Sequence, residues 1–103
     1  MNDTLQMTML FDFYGDLLTD KQQEYFNLYH NEDFSLSEIA EIANISKPGV
    51  YDIITRAEKT LTQIELKTGI IKKWLETRAI LEAETSKSNL HPAILSYFQM
   101  END

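Results

Sequence analysis

The segment from Ser35 to Leu61 constrains this chain most, because it holds two helix starts separated by a short corner. Glu38 follows Ser35 at the spacing of a capping box, in which the serine hydroxyl accepts from the Glu38 amide and the carboxylate accepts from the Ser35 amide. Ser46 opens a second helix, and Pro48 lies in its first turn, where the missing N–H of proline costs no hydrogen bond. The segment therefore predicts two helices that meet at a tight corner.

The residues around this corner are typical of a helix-turn-helix. Asn44 tolerates the left-handed conformation that ends many helices. After the corner, apolar residues recur at helical spacing and predict a long, one-sided helix: Val50, Ile53, Ile54, Ala57, Leu61 and Ile64. A plain αα-hairpin would share this periodicity, but two capped starts around so short a corner favour the helix-turn-helix, whose second helix usually contacts nucleic acid.

The chain before this segment predicts two further helices. Residues 4–18 form the first, and its broad apolar face is expected to comprise Leu5, Met9, Leu10, Phe13, Tyr14, Leu17 and Leu18, with Met7 and Phe11 on the other side. A face this wide can also contact a second subunit. Thr19 and Gln22 form another capping box, which opens a helix that continues to about His30.

The chain after the long helix predicts an extension. Gly69 indicates a helix end or kink, followed by helices at 70–83 and 92–99 and a polar connector at 84–89. We expect one all-α domain over residues 1–103, with a three- to four-helix core at 4–67, of the kind seen in winged-helix and related proteins, and a C-terminal helical extension at 70–100. The extension can pack on its own chain or pair with another subunit.

Composition excludes several kinds of chemistry. The chain has no cysteine, which rules out disulfides and thiolate metal sites and is typical of a reducing compartment, so we expect a cytoplasmic protein. No apolar stretch approaches the roughly 20 residues that span a bilayer. His30 and His91 are too far apart in sequence to suggest a zinc site and are expected at the surface or its boundary. With no phosphate-binding loop or nucleophile motif either, we expect no enzyme, no cofactor and no small-molecule substrate.

Charge is unevenly distributed along the chain, whose formal net charge is −8. Residues 1–45 hold nine acids and one base, whereas residues 46–103 hold eight of each. Because Lys and Arg drive phosphate binding, any nucleic-acid contact is expected in the second half. The candidates are Lys47, Tyr51, Arg56 and Lys59, with Lys67, Lys72 and Lys73 as an auxiliary basic patch. Each could equally be a solvated side chain, or for Tyr51 a partly buried packing residue.

The stretch LTDKQQEYFNLYHNEDFSLSEIAEIANISKPGVYDIITRAEKTLTQIELKTG, preceded by FDFYGDLL, resembles the YlxM family of small bacterial helix-turn-helix proteins over residues 11–69. More distantly, it is similar to the sigma-factor domain that reads the −35 promoter element. The resemblance implies a nucleic-acid-binding regulator of the signal recognition particle pathway, because the family's gene usually lies beside that of the Ffh GTPase. The implied nucleic-acid partner is either the particle's RNA or DNA. The implied protein partners are Ffh, its receptor FtsY, and a second copy of the chain.

The second helix departs from the sigma pattern at Pro48, Gly49, Tyr51 and Asp52. Proline and glycine offer no donors to base edges and Asp52 repels phosphate, so recognition of RNA shape or of a protein surface is favoured over reading of a promoter duplex. Two rivals to the nucleic-acid-binding regulator stay open. One is a promoter-specific transcription regulator. The other is a protein–protein adaptor that binds Ffh or FtsY through an acidic face: Asp12, Asp16, Asp20, Glu24, Glu38 and Glu41.

Overall fold

The computed structural model describes residues 4–85, and over that range its regular elements are all helical. The first helix, α1, spans Thr4–Tyr14 and runs into a 3₁₀ turn at Gly15–Leu17. The second helix, α2, spans Asp20–Phe26 and continues as a π-helical turn at Asn27–Asn31. The remaining helices are α3 at Leu36–Ala43, α4 at Lys47–Thr68 and α5 at Ile70–Thr85. The all-α prediction is confirmed. The expected helix at 92–99 and most of the connector at 84–89 lie outside the described residues.

The chain divides into two compact units, residues 1–71 and residues 72–103. The first unit holds α1 to α4 and the first turn of α5. Of the second unit the structure describes residues 72–85, and these are helical. The fold and the candidate site given below are those of the first unit, except where α5 is named.

The predicted caps form at all three helix starts. Ser35 Oγ accepts from Glu38 N at 3.0 Å while Glu38 Oε1 accepts from Ser35 N at 2.9 Å. Thr19 and Gln22 make the same reciprocal pair at the start of α2. Ser46 Oγ accepts from Gly49 N at 3.1 Å and so opens α4. Each cap satisfies backbone N–H groups that the helix itself leaves without acceptors.

The corner between α3 and α4 is a Schellman turn. Asn44 has the left-handed conformation predicted for it, with φ 56° and ψ 44°. Ile45 N donates to Ala40 O at 3.2 Å and Asn44 N donates to Glu41 O at 3.4 Å, which is the bond pattern of that motif. The chain therefore reverses within three residues, and Ser46 begins the next helix at once.

Two buried clusters hold the first unit together, and α4 contributes to both. One joins α2 and α3 to the first half of α4 through Tyr25, Ile39, Val50 and Ile54. The other joins α1, α2 and the start of α5 to the middle of α4 through Met7, Leu10, Tyr14, Leu18, Phe26, Ala57, Leu61 and Ile71. The predicted apolar stripe of α4 is thus its buried face.

The structure corrects the predicted face of α1. Met7 is fully buried and Phe11 stacks on Phe26 with ring centroids 4.9 Å apart, whereas Leu5 and Leu17 are 67% and 68% exposed. Apolar residues surround α1 almost completely, so periodicity alone could not select a side. Gly15 contributes to the choice, because a Cβ at that position would lie 3.1 Å from the Phe11 ring.

The corner between α4 and α5 confirms the predicted break at Gly69. Gly69 is left-handed, with φ 62°, and its N–H donates to Glu65 O at 2.8 Å. Glu65 Oε1 accepts from Tyr14 Oη at 2.6 Å and from Ile71 N at 3.0 Å, and Tyr14 Oη lies 2.8 Å from Thr68 Oγ1. Burial and the bond to the Glu65 carboxylate raise the pKa of Tyr14 above its ordinary value. One carboxylate therefore ties α1 to both helices of the corner.

Candidate nucleic-acid interface

The exposed face of α4 carries five of the seven candidate residues. Val50, Ile54, Ala57 and Leu61 turn the opposite side of this helix into the cores. The exposed candidates are Lys47, Tyr51, Arg56, Lys59 and Lys67. We call the surface formed by these five residues and Asp52 the α4 outer face. It is presented directly after the Schellman turn, where a helix-turn-helix presents its recognition helix.

Spacing places three of these side chains in one row. Lys47, Tyr51 and Lys59 are separated by multiples of four residues, so they follow one ridge that winds around the helix, and Lys59 is turned by about 120° from Lys47 about the axis. At the rise of an α-helix, Lys47 and Lys59 are about 18 Å apart along the axis. Tyr51 is 60% exposed between them, and it is therefore a surface residue and not a packing residue. The row offers two cations and one aromatic ring to a ligand.

An ion pair that the sequence interpretation missed lies on the same face. Arg56 Nε lies 3.1 Å from Asp52 Oδ2, and the two side chains are 73% and 59% exposed. The sequence interpretation treated Asp52 as a repulsive charge and Arg56 as a free cation. The signal was present, because an acid four residues before an arginine on a helix is a recognised pairing pattern.

The auxiliary basic patch is divided between the two units. Lys67 is exposed near the end of α4, in the first unit. Lys72 and Lys73 are exposed on α5 and belong to the second unit. The α4 outer face as described for the first unit therefore includes Lys67 and not the other two lysines.

His30 lies at the boundary of the surface, as expected, but it has a partner that the sequence did not predict. Its side chain is only 11% exposed, and its Nε2 lies 2.6 Å from Oε2 of Glu58, which is on α4. The ring packs against Phe26 and Tyr29, with centroids 4.4 and 5.0 Å away. The π-helical turn carries His30 toward α4, and neither the turn nor a partner 28 residues away leaves a local sequence signal. His30 is a largely buried link between α2 and α4.

The acidic residues named as a possible adaptor face are at the surface. The six residues of the proposed acidic face are all exposed, and they are distributed over α1, the 3₁₀ turn, α2 and α3: Asp12, Asp16, Asp20, Glu24, Glu38 and Glu41. Hydrogen bonds from the backbone and side chain of Ser35 hold the pKa of Glu38 below its ordinary value. Within residues 4–85, no three His, Cys, Asp or Glu side chains are grouped closely enough to hold a metal ion. None of the helices over that range is long and apolar enough to cross a membrane.

A capped three-residue corner that leads into a long helix with a solvent-facing basic side defines a helix-turn-helix protein. The family described as "Putative helix-turn-helix protein, YlxM / p13 like" matches residues 1–95, and this chain belongs to that family. The predicted family membership is confirmed, and the family is of a non-enzymatic kind.

Curated relatives agree with this membership. A UPF0122 protein of Caldanaerobacter subterraneus subsp. tengcongensis is 52% identical over 81 residues, which cover 79% of this chain and 69% of the relative. One from Thermoanaerobacter sp. strain X514 is 52% identical over 75 residues, covering 73% and 64%. One from Bacillus licheniformis is 48% identical over 83 residues, covering 81% and 78%. The matched stretch thus spans about two thirds of the length of the first two relatives.

Proposed function

We propose that this protein is a nucleic-acid-binding regulator that uses the α4 outer face to contact phosphates and bases. The observation that carries the proposal is the row of Lys47, Tyr51 and Lys59 on the exposed side of a helix whose other side is fixed in two cores. Lysine side chains at this separation can neutralise phosphates along a strand, and each neutralised phosphate releases counterions.

RNA is the favoured ligand. The first turn of α4 contains Pro48 and Gly49, whose side chains donate nothing to the base edges of a duplex. The exposed ring of Tyr51 suits an unpaired base, because stacking on aromatic side chains is the usual way in which single-stranded RNA is held. Membership of the YlxM family supports a finer proposal. The ligand is the RNA of the signal recognition particle, Ffh or FtsY is a further partner, and the protein acts in the cytoplasm as a homodimer.

A salt titration tests this function. Binding of the particle's RNA, and of a DNA duplex of equal length, is measured by fluorescence anisotropy over a range of salt concentrations. We expect log affinity to fall linearly with log salt, and Lys47→Ala or Lys59→Ala to reduce the slope by about one each. Lys21→Ala is the matched control, because Lys21 is an exposed lysine on α2 outside the α4 outer face. Absence of salt-dependent binding to both nucleic acids in dilute buffer would refute the proposal.

The adaptor function is the second candidate, and the exposed acidic residues of α1 and α2 favour it. In that case Ffh or FtsY would bind the chain without RNA, and Asp12→Asn with Asp16→Asn would weaken the complex while Lys59→Ala would not. A promoter-specific regulator would instead discriminate among duplex sequences. Equal affinity for unrelated duplexes removes that third function.

A further inference from the structure

Arg56 is the most versatile donor on the α4 outer face. The chain has two arginines, and Arg56 is the one on α4. Its guanidinium is planar and carries five N–H donors in a fixed arrangement, whereas each lysine on the face presents a compact point charge. Because Arg56 meets Asp52 through Nε, the edge formed by its two Nη groups faces away from that contact. That edge is the one that can donate two parallel hydrogen bonds to a ligand.

The ion pair between Arg56 and Asp52 is expected neither to stabilise the helix much nor to favour phosphate binding. An exposed pair between residues four apart adds little to the stability of a helix. Asp52 also puts a negative charge between Lys47 and Lys59, where it opposes the approach of phosphate. The pair does favour one orientation of the guanidinium plane among the many rotamers of a long side chain.

We propose that Arg56 and Asp52 together form a guanine reader. Arg56 donates through its Nη groups to O6 and N7 of guanine, the commonest specific contact of arginine with a base, and Asp52 is a positioning residue that holds the guanidinium plane. This proposal rests on the nucleic-acid-binding function and adds base specificity to it. The O6 and N7 edge of guanine is open in the major groove of duplex DNA and in unpaired RNA, whereas the deep groove of duplex RNA hides it.

The test replaces guanine by 7-deazaguanine, which keeps pairing and charge but lacks the N7 acceptor. Two arms are used, a DNA duplex and an unpaired RNA, each with a single guanine or 7-deazaguanine in an otherwise identical strand. We expect the wild-type protein to lose roughly five- to hundred-fold in affinity on this replacement, in at least one arm. The arm that shows the loss identifies the source of the guanine.

Two variants separate reading from positioning. Arg56→Lys keeps the charge and is expected to lose most of the preference for the guanine ligand over the 7-deazaguanine ligand, because lysine lacks the planar pair of donors. Asp52→Asn is expected to bind nucleic acid more tightly overall, because a repulsive charge is gone, and to lose most of the preference for guanine over 7-deazaguanine. The gain in affinity combined with the loss of preference is a result that a merely structural role of Asp52 would not produce.

The matched controls are Arg78→Lys and Glu82→Gln. Arg78 Nε and Glu82 Oε1 also lie 3.1 Å apart with a spacing of four residues, but on α5. Both control variants are expected to keep the wild-type preference. Wild-type protein that binds nucleic acid but ignores the replacement in both arms overturns the guanine reader and leaves the proposed function standing. Asp52→Asn protein with the full preference overturns the positioning role. No binding to either nucleic acid overturns this inference and the proposed function together.

Discussion

Single side chains define where α2, α3 and α4 begin. Ser35, Thr19 and Ser46 each accept from an amide three residues further along, and the backbone N–H of Ser35 and of Thr19 also donates to the side chain of that later residue. These bonds depend only on neighbours in sequence. They were therefore predictable, for Ser35 and Thr19 from the acidic or amide residue three positions later, and for Ser46 from Pro48 in the first turn of the helix.

Ser35, the N-cap of α3, is exposed, but removing its hydroxyl is expected to destabilise the fold. Ser35→Ala leaves the Glu38 amide without its acceptor and should lower the free energy of unfolding by about 0.5–2 kcal/mol. Ser37→Ala is the control, because Ser37 is exposed two residues further along, within α3, and should change stability by less than about 0.5 kcal/mol. Urea unfolding followed by circular dichroism measures both. Equal losses in the two variants would contradict the cap.

Tyr14 is expected to make the stability of the protein depend on pH in the alkaline range. Its pKa is raised in the folded chain, chiefly by burial and then by the Glu65 carboxylate, so the folded state keeps the proton to a higher pH than the unfolded state. The stability that follows is fully present below the ordinary tyrosine pKa of about 10 and is lost as pH rises through the folded pKa.

The variant Tyr14→Phe should remove this dependence. We expect it to lower the free energy of unfolding at neutral pH by about 1 kcal/mol, because the bonds to Glu65 and Thr68 are lost. Its stability should also decline less than that of the wild type above pH of about 10. Tyr51→Phe is the control, since Tyr51 is exposed and lies outside this network. Parallel pH profiles for Tyr14→Phe and wild type would be inconsistent with the assignment.

At the scale of elements, sequence patterns were enough to predict the buried face of a helix where its apolar residues lie on one side. The stripe of α4 and the left-handed Asn44 and Gly69 were read correctly, because periodicity and turn chemistry are local signals. The face of α1 was not, since Met7 and Leu5 are equally apolar and only tertiary packing distinguishes them. For the candidate site, exposure of the basic residues on α4 could be predicted, but the His30 contact could not, because it depends on a π-helical turn and a distant partner.

The contact between His30 and Glu58 is expected to be worth more than the exposed pair on the same helix. A double-mutant cycle of His30→Ala and Glu58→Gln should give a coupling free energy of about 0.5–3 kcal/mol near neutral pH, because both side chains are largely shielded from water. The same cycle for Asp52→Asn and Arg56→Gln should give about 0.5 kcal/mol or less. Denaturant unfolding of the four variants in each cycle measures the coupling. A His30 value no larger than the Asp52 value would contradict a structural link from α2 to α4.

At the scale of the whole molecule, the first unit contains both of its own cores. The buried residues of the two clusters lie between Met7 and Ile71. A chain that stops after Leu75 is therefore expected to keep a cooperative thermal transition and, if the proposed function holds, salt-dependent binding to nucleic acid.

The comparison for this truncation is a chain that stops after Gln63. It lacks the Glu65 and Thr68 bonds to Tyr14 and the buried side chain of Ile71, so a lower and broader transition is expected. Calorimetry distinguishes the two chains. Loss of cooperativity in the longer one would mean that residues beyond Leu75 are needed for the fold.

The position of α4 in both clusters has a consequence for how a ligand is accommodated. Because α4 packs in one core through its first half and in another through its middle, it is held at two places along its length and is not expected to rotate as a rigid body. The backbone of the proposed reading surface is thus already in its final shape before any encounter, and adaptation falls to its side chains and to the ligand. A nucleic acid that bends or opens easily should then bind more tightly than a stiff one with identical bases.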